Sequence, residues 1–436
     1  MSTITRVAKA MQRVLTEEAN EAAEKTGFVK RERKFSGASF VQTLTFGWLS
    51  KGDASLGELN QAAAAVGVEI SQQGIDKRFG PEAAECMRQV LEAAMEEVIK
   101  AEPATIPILQ RFNGVHLLDS STIGLPEKLA EIWPGCNSNQ GKTAALKIQV
   151  DINYSNGSLH KLWLQAGRKH DQCEQAQSIE LPKGALRIAD LGYFKLEWLK
   201  NAAKNGVFWL SRLKTGTNLY TVEGQVLELG TWLTSQKTVR VDMPIRMGAK
   251  HQIQCRLLAE RVPPTVAAER RRKLKRNAQK KGQTLSKVRL ALADWTLLIT
   301  NLSAEQLSLE EALVLYRVRW QIELLFKLWK SVGLVDESRS QNPWRVLCEV
   351  YAKLLAMIIQ HWIFLTGFWM LPNRSLTKAA QTVQKYAFSL ALLCNKSKRL
   401  LVDTLSAINR CLLAGCRINS RHHQPNTYQL LLEFDA

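Results

Sequence analysis

Apolar residues in the first hundred positions recur at helical spacing, and one stretch also carries the signals that begin and end helices. Residues 55–58 (Ser-Leu-Gly-Glu) have the spacing of a capping box, and an apolar stripe headed by Leu59 follows them. Gly67 then interrupts the pattern before Ser71 can cap a second helix. The sequence therefore predicts a helix, a tight turn and a second helix over residues 55–79, which we call the helix pair.

The second helix of the pair has one apolar and one polar side. Ile75 and Phe79 would face inward, whereas Lys77 and Arg78 would point outward together with two glutamines. A recognition helix needs this arrangement to reach base edges and phosphates. An ordinary helical hairpin has the same pattern, so DNA binding and simple packing both stay open here.

From Pro107 the pattern changes to short runs of β-forming residues, with helical stretches between some of them. These runs cover residues 115–118, 146–152, 159–164, 186–189 and 207–210. Residues 213–299 look like further β-structure, a long helix is predicted from about 308 to 332, and the chain beyond Pro343 looks helical. We therefore expect an α/β protein in which helices cover a mixed sheet.

Charge changes the picture more than composition does. The 436 residues, 46% of them apolar and 23% charged, are those of a globular protein of two to four domains and exclude a wholly disordered or fibrous chain. The formal net charge of +19 makes a polyanion the first partner to consider. The eight cysteines form no Cys-x-x-Cys pair, which argues against a zinc ribbon or a disulfide scaffold and favours a reducing cytosol.

The most apolar stretch, residues 350–371, has the length of a membrane span. Lys353, Gln360 and His361 interrupt it near its middle, so we expect a buried helix and no membrane. Residues 1–27 mix charges without an apolar core, so no secretory signal is visible. The expected location is therefore the cytosol.

A basic tract lies at residues 261–290. It holds eleven Lys or Arg against one acid, Glu269, so its excess of ten is over half of the net charge. The densest part is the run Arg270, Arg271, Arg272 and Lys273. Such a block gains affinity by releasing counterions at a phosphate backbone, so we expect DNA contacts, with a solvated charged loop as the alternative.

Two aspartates follow predicted strands. Asp119 comes after the apolar run 115–118, and Asp190 comes after the run 186–189. Acids at strand ends can converge at one edge of a sheet. Taken singly, each could equally be a turn residue or a helix cap. Asp151 and Asp171 are further acids in this region, for which we expect structural or supporting roles.

The segment 316–330, which we call the signature segment, has polar and apolar residues on opposite sides if it is one helix. Apolar residues would pack onto the sheet from the other side, headed by Val318 and Ile322. The alternative is a solvent-facing surface with a simple Glu323–Lys327 pair. Five polar side chains share one narrow stripe: Tyr316, Arg319, Glu323, Lys327 and Lys330.

Three carboxylates that meet in space need a cation between them. Asp119, Asp190 and Glu323 would together bind hard divalent ions through oxygen, which suits two Mg²⁺ ions, with Mn²⁺ as an expected substitute. Two such ions about 3.5 to 4 Å apart activate an attacking oxygen and stabilise a leaving one at phosphorus. Neighbouring Arg and Lys would orient a nucleic-acid strand.

The signature segment also carries a family resemblance. Tyr316, Arg319, Glu323 and Lys330 reproduce the pattern Tyr-x2-Arg-x3-Glu-x6-Lys, and with the two upstream aspartates the chain resembles insertion-sequence family four, the bacterial cut-and-paste DDE transposases. The resemblance covers roughly residues 35–345. It implies a ribonuclease H-like catalytic core interrupted by a mainly β insertion.

This resemblance implies five segments along the chain. Residues 1–105 would form an N-terminal helical DNA-binding domain, and residues 346–436 a C-terminal helical region for dimerisation or synapsis. Between them, residues 106–212 and 300–345 would form the two parts of the catalytic core, separated by the insertion 213–299.

The resemblance further implies a mechanism. A homodimer would hold both transposon ends on double-stranded DNA, bound at their inverted repeats, with Asp119, Asp190 and Glu323 as catalytic and metal-binding residues. A metal-activated water would cut one strand, the released 3′ hydroxyl would form a hairpin, and after reopening the 3′ ends would join target DNA.

The same resemblance assigns further DNA contacts. Tyr316, Arg319 and Lys330 would bind phosphates near the cleavage point, with Lys327 beside them. Trp295 would stack on a flipped base, although a Trp in a strand is more commonly a core residue. Two alternatives remain open: a sequence-specific DNA-binding protein without cleavage activity, and a structure-specific nuclease on the same core.

Overall fold

The computed structural model describes residues 1–31, 34–103, 106–136, 142–371, 373–418 and 426–433. Its backbone forms two compact units, each built from separate stretches of chain. The first unit contains Met1–Gln110, Leu117–His170 and Trp320–Gln429, and the second contains Arg111–His116, Asp171–Arg319 and Leu430–Ala436. The N-terminal and C-terminal helical regions therefore belong to the same unit.

The described strands form one mixed sheet in the order β3-β2-β1-β4-β5-β9-β8-β7-β6. β2 and β3 are antiparallel, β4 and β5 are parallel, and the pairings from β5 through β9, β8, β7 and β6 are antiparallel. The mixed α/β class expected from the sequence is thus present. The strands are β1 Val115–Leu125, β2 Ala144–Asn153, β3 Leu159–Ala166, β4 Leu186–Ala189, β5 Phe208–Arg212, β6 Leu219–Tyr220, β7 Arg240–Met247, β8 Ile253–Arg261 and β9 Trp295–Thr300.

The described helices occur in both units. A π-helical turn, Arg13–Glu18, joins the first two of them. The α-helices are α1 Thr3–Gln12, α2 Ala19–Lys25, α3 Gly37–Ser50, α4 Leu56–Ala65, α5 Gln72–Asp76, α6 Pro81–Glu96, α7 Pro107–Gln110, α8 Glu174–Gln177, α9 Leu196–Lys204, α10 Leu229–Ser235, α11 Pro264–Lys280, α12 Lys287–Ala291, α13 Leu309–Arg317, α14 Trp320–Ser331, α15 Pro343–Phe364, α16 Leu376–Lys385, α17 Ala387–Cys394, α18 Lys398–Gly415 and α19 Thr427–Leu432.

Helix α15 is the core helix of the first unit and packs against α3 and α6. Among the described residues it is the one helix long and apolar enough to cross a membrane by length and composition, with a mean hydropathy of 1.4, and that window is buried inside the protein. Its buried lysine has partners within the unit. Lys353 lies 2.7 Å from Glu349 and donates to the carbonyls of Leu334 and Glu337, at 2.9 and 2.8 Å.

A reciprocal amide pair joins the N-terminal and C-terminal helices of the first unit. Gln42 on α3 donates to Asn395 Oδ1 at 2.7 Å, and Asn395 donates back to Gln42 Oε1 at 2.8 Å. Gln42 is completely buried and also donates to the Leu15 carbonyl. Because buried amides are costly to leave without partners, this pair fixes how the two regions pack.

The helix pair forms as predicted, with a shorter second helix. Ser55 and Glu58 form the capping box at the start of α4, and Ser71 accepts a hydrogen bond from Gly74 at the start of α5. α5 spans only five residues. Arg345 from α15 supports it, because its guanidinium lies 3.2 Å from Asp76 and 5.5 Å from the centre of the Phe79 ring.

The second unit is built on β4 to β9. Its main apolar cluster joins β5, β7, β8 and β9, with Trp209, Met247 and Ile299 at its centre. The segment 213–299 holds three helices, α10 to α12, beside its strands. Most of the basic tract is therefore helical, as α11 and α12.

The predicted long helix over 308–332 is in fact two helices. α13 ends at Arg317 and α14 begins at Trp320, and the amides of Val318 and Arg319 bond to carbonyls three residues back. These i→i+3 bonds tighten the chain into a turn. The sequence gives no sign of the break, because neither Gly nor Pro occurs between positions 316 and 330.

Candidate active site

Asp119 lies within a strand. The sequence predicts the strand to end at Leu118, whereas β1 continues to Leu125. The first four residues of β1 are buried, and from Asp119 onward three half-buried residues follow. The Asp119 Oδ1 accepts the amide of Ser120 at 2.8 Å. The Asp119 carboxylate therefore lies at the point where β1 changes from buried to half-buried residues.

Glu323 lies in the first turn of α14 and is half-buried. Ile322, Leu325 and Trp329 on the same helix are buried, and this apolar side sets the direction of the helix. Lys330 in the last turn donates to the carbonyl of Thr122 at 3.0 Å. Within the first unit, α14 is thus tied to β1 three residues beyond Asp119.

Asp190 follows β4 in the second unit and is half-buried. Its carbonyl accepts the amide of Tyr193 in the short 3₁₀ turn that comes next. Gly192 in this turn comes close to Asp171, because a Cβ there would lie 3.2 Å from Asp171 Oδ2. Asp171 therefore packs against the turn that carries Asp190, in line with the supporting role expected for it.

Tyr316 belongs to the same cluster as Asp190. Burial raises the pKa of the Tyr316 phenol, the nearby Asp190 carboxylate adds to the increase, and the cations of Arg319 and Arg212 oppose it. Within the second unit, two signature residues and one predicted catalytic acid are thus close enough to interact electrostatically.

Arg212 is a residue that the sequence reasoning missed. β4 and β5 are parallel, with Leu186 opposite Phe208 and Ile188 opposite Leu210. The same offset of 22 places Asp190 beside Arg212. The sequence does show a cation at the carboxyl end of β5, the strand that follows Asp190 along the chain. Its closeness to Asp190 can be inferred only when β4 and β5 are known to be parallel neighbours.

The three predicted metal ligands belong to different units. Asp119 and Glu323 lie in the first unit, and Asp190 lies in the second. All three are half-buried carboxylates, so each supplies oxygen donors of the kind that Mg²⁺ prefers and keeps access to solvent. Three carboxylates thus fit Mg²⁺ as ligands. That the three meet at one metal site stays a prediction.

Asp151 has a partner on the neighbouring strand. Its carboxylate is 2% exposed and lies 2.9 Å from His160 Nδ1. Asp151 on β2 and His160 on β3 thus form a cross-strand pair inside the first unit. This contact supports the structural role expected for Asp151.

The remaining predicted DNA-binding residues differ in exposure. Lys77 is exposed and Arg78 is half-buried at the end of α5. Lys327 is exposed on α14, and it lines a cavity of about 290 Å³ in the first unit together with Arg374. Their contacts with DNA stay predictions.

Trp295 is a core residue of the second unit. Its ring is 5% exposed and packs with Leu233 and Ala259, and the Arg261 guanidinium lies 4.8 Å from its centre. One side of it reaches a cavity of about 520 Å³ that Arg212 also lines. The burial fits the core alternative, and the stacking role stays a prediction.

Comparison with known proteins defines the class. A family model described as a transposase DDE domain matches residues 111–359, more than half of the chain. The matched range contains Asp119, Asp190 and the whole signature segment.

Curated relatives agree with this match. The transposase for insertion sequence element IS231C of Bacillus thuringiensis subsp. berliner is 30% identical over 362 residues, which cover 78% of this chain and 75% of the relative. The IS231F transposase of Bacillus thuringiensis subsp. israelensis is 28% identical over 374 residues, and the IS1151 transposase of Clostridium perfringens is 25% identical over 379; each alignment covers 80% of this chain and 78% of the relative. The chain therefore belongs to the DDE-domain transposases of insertion sequences.

Proposed function

We propose that this protein cleaves the inverted-repeat ends of its own insertion sequence and joins the 3′ ends to target DNA, with Asp119, Asp190 and Glu323 as its catalytic acids. The cluster of Asp190, Tyr316 and Arg319 in the second unit carries the proposal. A predicted catalytic acid and two signature residues, distant in sequence, act on one another there.

The finer assignment is to insertion-sequence family four. The Tyr-x2-Arg-x3-Glu-x6-Lys pattern supports it, as do the upstream aspartates, Asp119 on β1 and Asp190 directly after β4. The proposal includes the ribonuclease H-like core, the insertion over 213–299 and a homodimer on double-stranded DNA.

The chain's own residues have distinct tasks in this mechanism. The three carboxylates would hold Mg²⁺, which when bound would activate the attacking oxygen and stabilise the leaving one. Arg319 and Arg212 provide positive charge beside Asp190 for a phosphate. Tyr316, held in a half-buried position, has a raised pKa and keeps its proton at neutral pH, so it can donate a hydrogen bond to a phosphate oxygen.

Cleavage of end DNA tests the proposal. Purified protein with Mg²⁺ or Mn²⁺ should nick a linear DNA that carries its inverted repeats. Asp119→Asn, Asp190→Asn and Glu323→Gln should each lower the rate more than about a hundredfold while DNA binding is kept, since even loss of a ligand's supporting partners costs 10–100-fold. Asp403→Asn, an exposed change on α18, is the control that should cleave normally. Full activity in any of the three variants would refute the triad.

The second candidate is a DNA-binding protein without cleavage activity. The exposed cations of α11 and the helix pair favour it, because they need no acid to bind DNA. In this case end DNA would stay intact in Mg²⁺ as well as in EDTA. Formation of strand-transfer products from precut ends would exclude the third possibility, a nuclease that does not join DNA.

A further inference from the structure

Helix α11 contains the densest positive charge of the second unit. Between Pro264 and Lys280 it has seven Lys or Arg against Glu269 alone. The sequence gives all of them the same expected role, as members of one basic tract. In the structure, five of the seven form two groups with different surroundings, and Lys273 and Lys275 are exposed and belong to neither group.

The first group anchors the helix. Arg270 donates to the Trp295 carbonyl at 3.1 Å and to Thr296 Oγ1 at 3.3 Å, and Arg271 lies 3.0 Å from Asp294. Both arginines are half-buried. They lie on the side of α11 that also buries Ala267 and Ala278.

The second group forms a row on the opposite side. Arg272, Arg276 and Lys280 are spaced four residues apart, so they follow one another along one face of the helix. All three are exposed. Among the described residues, their side chains form no ion pair and no hydrogen bond. We call these three residues the outer row.

The spacing of the outer row suits a phosphate backbone. Eight residues of helix extend about 12 Å, over which one strand of B-DNA presents about three to four phosphates. Because Arg270 fixes α11 to β9 and Arg271 fixes it to Asp294, just before that strand, the outer row loses little conformational freedom on binding. A free basic loop would lose more.

We propose that the outer row of α11 binds the phosphates of duplex DNA without regard to sequence, and that Arg270 and Arg271 serve to hold the helix in place. The proposal rests on the proposed function, because that function identifies the polyanion as DNA. It adds that the outer side of α11 is the side of the basic tract that contacts the DNA. Arg276 and Lys280 join the DNA-binding set, and Arg270 and Arg271 leave it.

The test is the salt dependence of binding by the full chain to a random-sequence 30-base-pair duplex in EDTA. Arg272→Gln/Arg276→Gln/Lys280→Gln should make the slope of log affinity against log salt shallower by about 2.7, since each phosphate contact contributes about 0.9. Arg276→Gln alone should change the slope by about 0.9, which keeps the test valid if the triple variant does not fold.

Two controls separate contact from bulk charge and from anchoring. Lys200→Gln/Lys204→Gln/Lys237→Gln removes three exposed charges elsewhere in the second unit and should leave the slope unchanged. Arg270→Gln/Arg271→Gln should lower the melting temperature and leave the slope within about one of the wild type.

An unchanged slope in both outer-row variants would overturn the inference, as would equal losses in the outer-row and control triples. The assay contains no divalent metal, so it does not depend on cleavage. If Asp119→Asn cleaves normally while the outer-row slope changes as expected, the proposed triad fails and the DNA contact stands.

Discussion

At the scale of single residues, buried ionisable groups make the protein sensitive to pH and to substitution. Lys353, Glu349 and His361 are all on α15, and the sequence marks two of them only as interruptions of an apolar stretch. Lys353 donates to the carbonyls of Leu334 and Glu337, and Glu349 accepts from the Ser338 hydroxyl. His361 is bonded to the Gly157 carbonyl. No periodicity in the sequence could have predicted these contacts.

Burial lowers the pKa of His361 to about 4, although the hydrogen bond to the Gly157 carbonyl by itself raises this pKa. The folded state therefore binds this proton more weakly than the unfolded chain, whose His titrates near 6.5. Its contribution to stability is complete above pH 6.5 and falls by up to about 3 kcal/mol as the pH drops towards 4.

Thermal unfolding followed between pH 4 and 7 checks this expectation. His361→Gln should flatten the pH dependence, whereas His170→Gln, an exposed change, should keep it. A wild-type curve without a slope below pH 6.5 would contradict it.

Lys353→Met should lower the free energy of unfolding by about 3–5 kcal/mol, because it leaves Glu349 as a buried charge without its partner. Urea denaturation measures the loss. Lys353→Met/Glu349→Gln should recover part of it, since the remaining charge is gone. If the double variant is less stable than Lys353→Met, the unpaired Glu349 charge is not the cause of the loss of stability.

At the scale of elements, local signals predicted beginnings better than ends. The capping box at Ser55 places the start of α4 correctly, because the signal is contained in four consecutive residues. The apolar run 115–118 predicts a strand that ends at Leu118, whereas β1 continues for seven more residues, because the more polar residues from Asp119 onward stay in the strand. The turn between α13 and α14 has no local signal, and it divides the signature segment between the two units.

The division makes Lys330 a test of the signature segment. Its ammonium donates to the Thr122 carbonyl and lies 3.6 Å from Asp336, so it already has a structural task beside its expected phosphate contact. Lys330→Ala should destabilise the protein by about 1 kcal/mol and also slow nicking. Lys330→Arg should restore stability more fully than nicking, because a planar guanidinium does not reproduce the ammonium contact with a phosphate.

Unfolding midpoints and single-turnover nicking rates measure the two effects of the Lys330 substitutions separately. Lys385→Ala, an exposed change on α16, serves as the matched control. Loss of stability without any change in the nicking rate would contradict the expected phosphate contact of Lys330 and support only its structural role.

At the scale of the whole molecule, the sequence predicts the α/β class and the positions of most elements, but not which segments fold together. The N-terminal and C-terminal helices were assigned to separate regions, yet α15 packs on α3 and α6, and Gln42 pairs with Asn395. Such pairings connect positions about 250 to 350 residues apart. Helical periodicity identifies an apolar face without identifying what covers it.

Deleting residues 346–436 should therefore unfold the N-terminal helices as well. The fragment 1–345 would expose the faces of α3 and α6 that α15 covers, and it should show lower helicity per residue and rapid proteolysis in residues 37–96. Circular dichroism and limited proteolysis check this. Adding residues 346–436 as a separate chain should restore protection, and a stable, protected fragment 1–345 would contradict the expectation.

The three-part construction of the first unit also determines when it can form on the ribosome. Residues 1–110 are synthesised first, but the helix that fills their core comes more than 230 residues later. A nascent chain released before residue 343 would thus lack the core helix of the unit that contains its helix pair. Premature termination would therefore give unfolded fragments instead of a folded N-terminal domain.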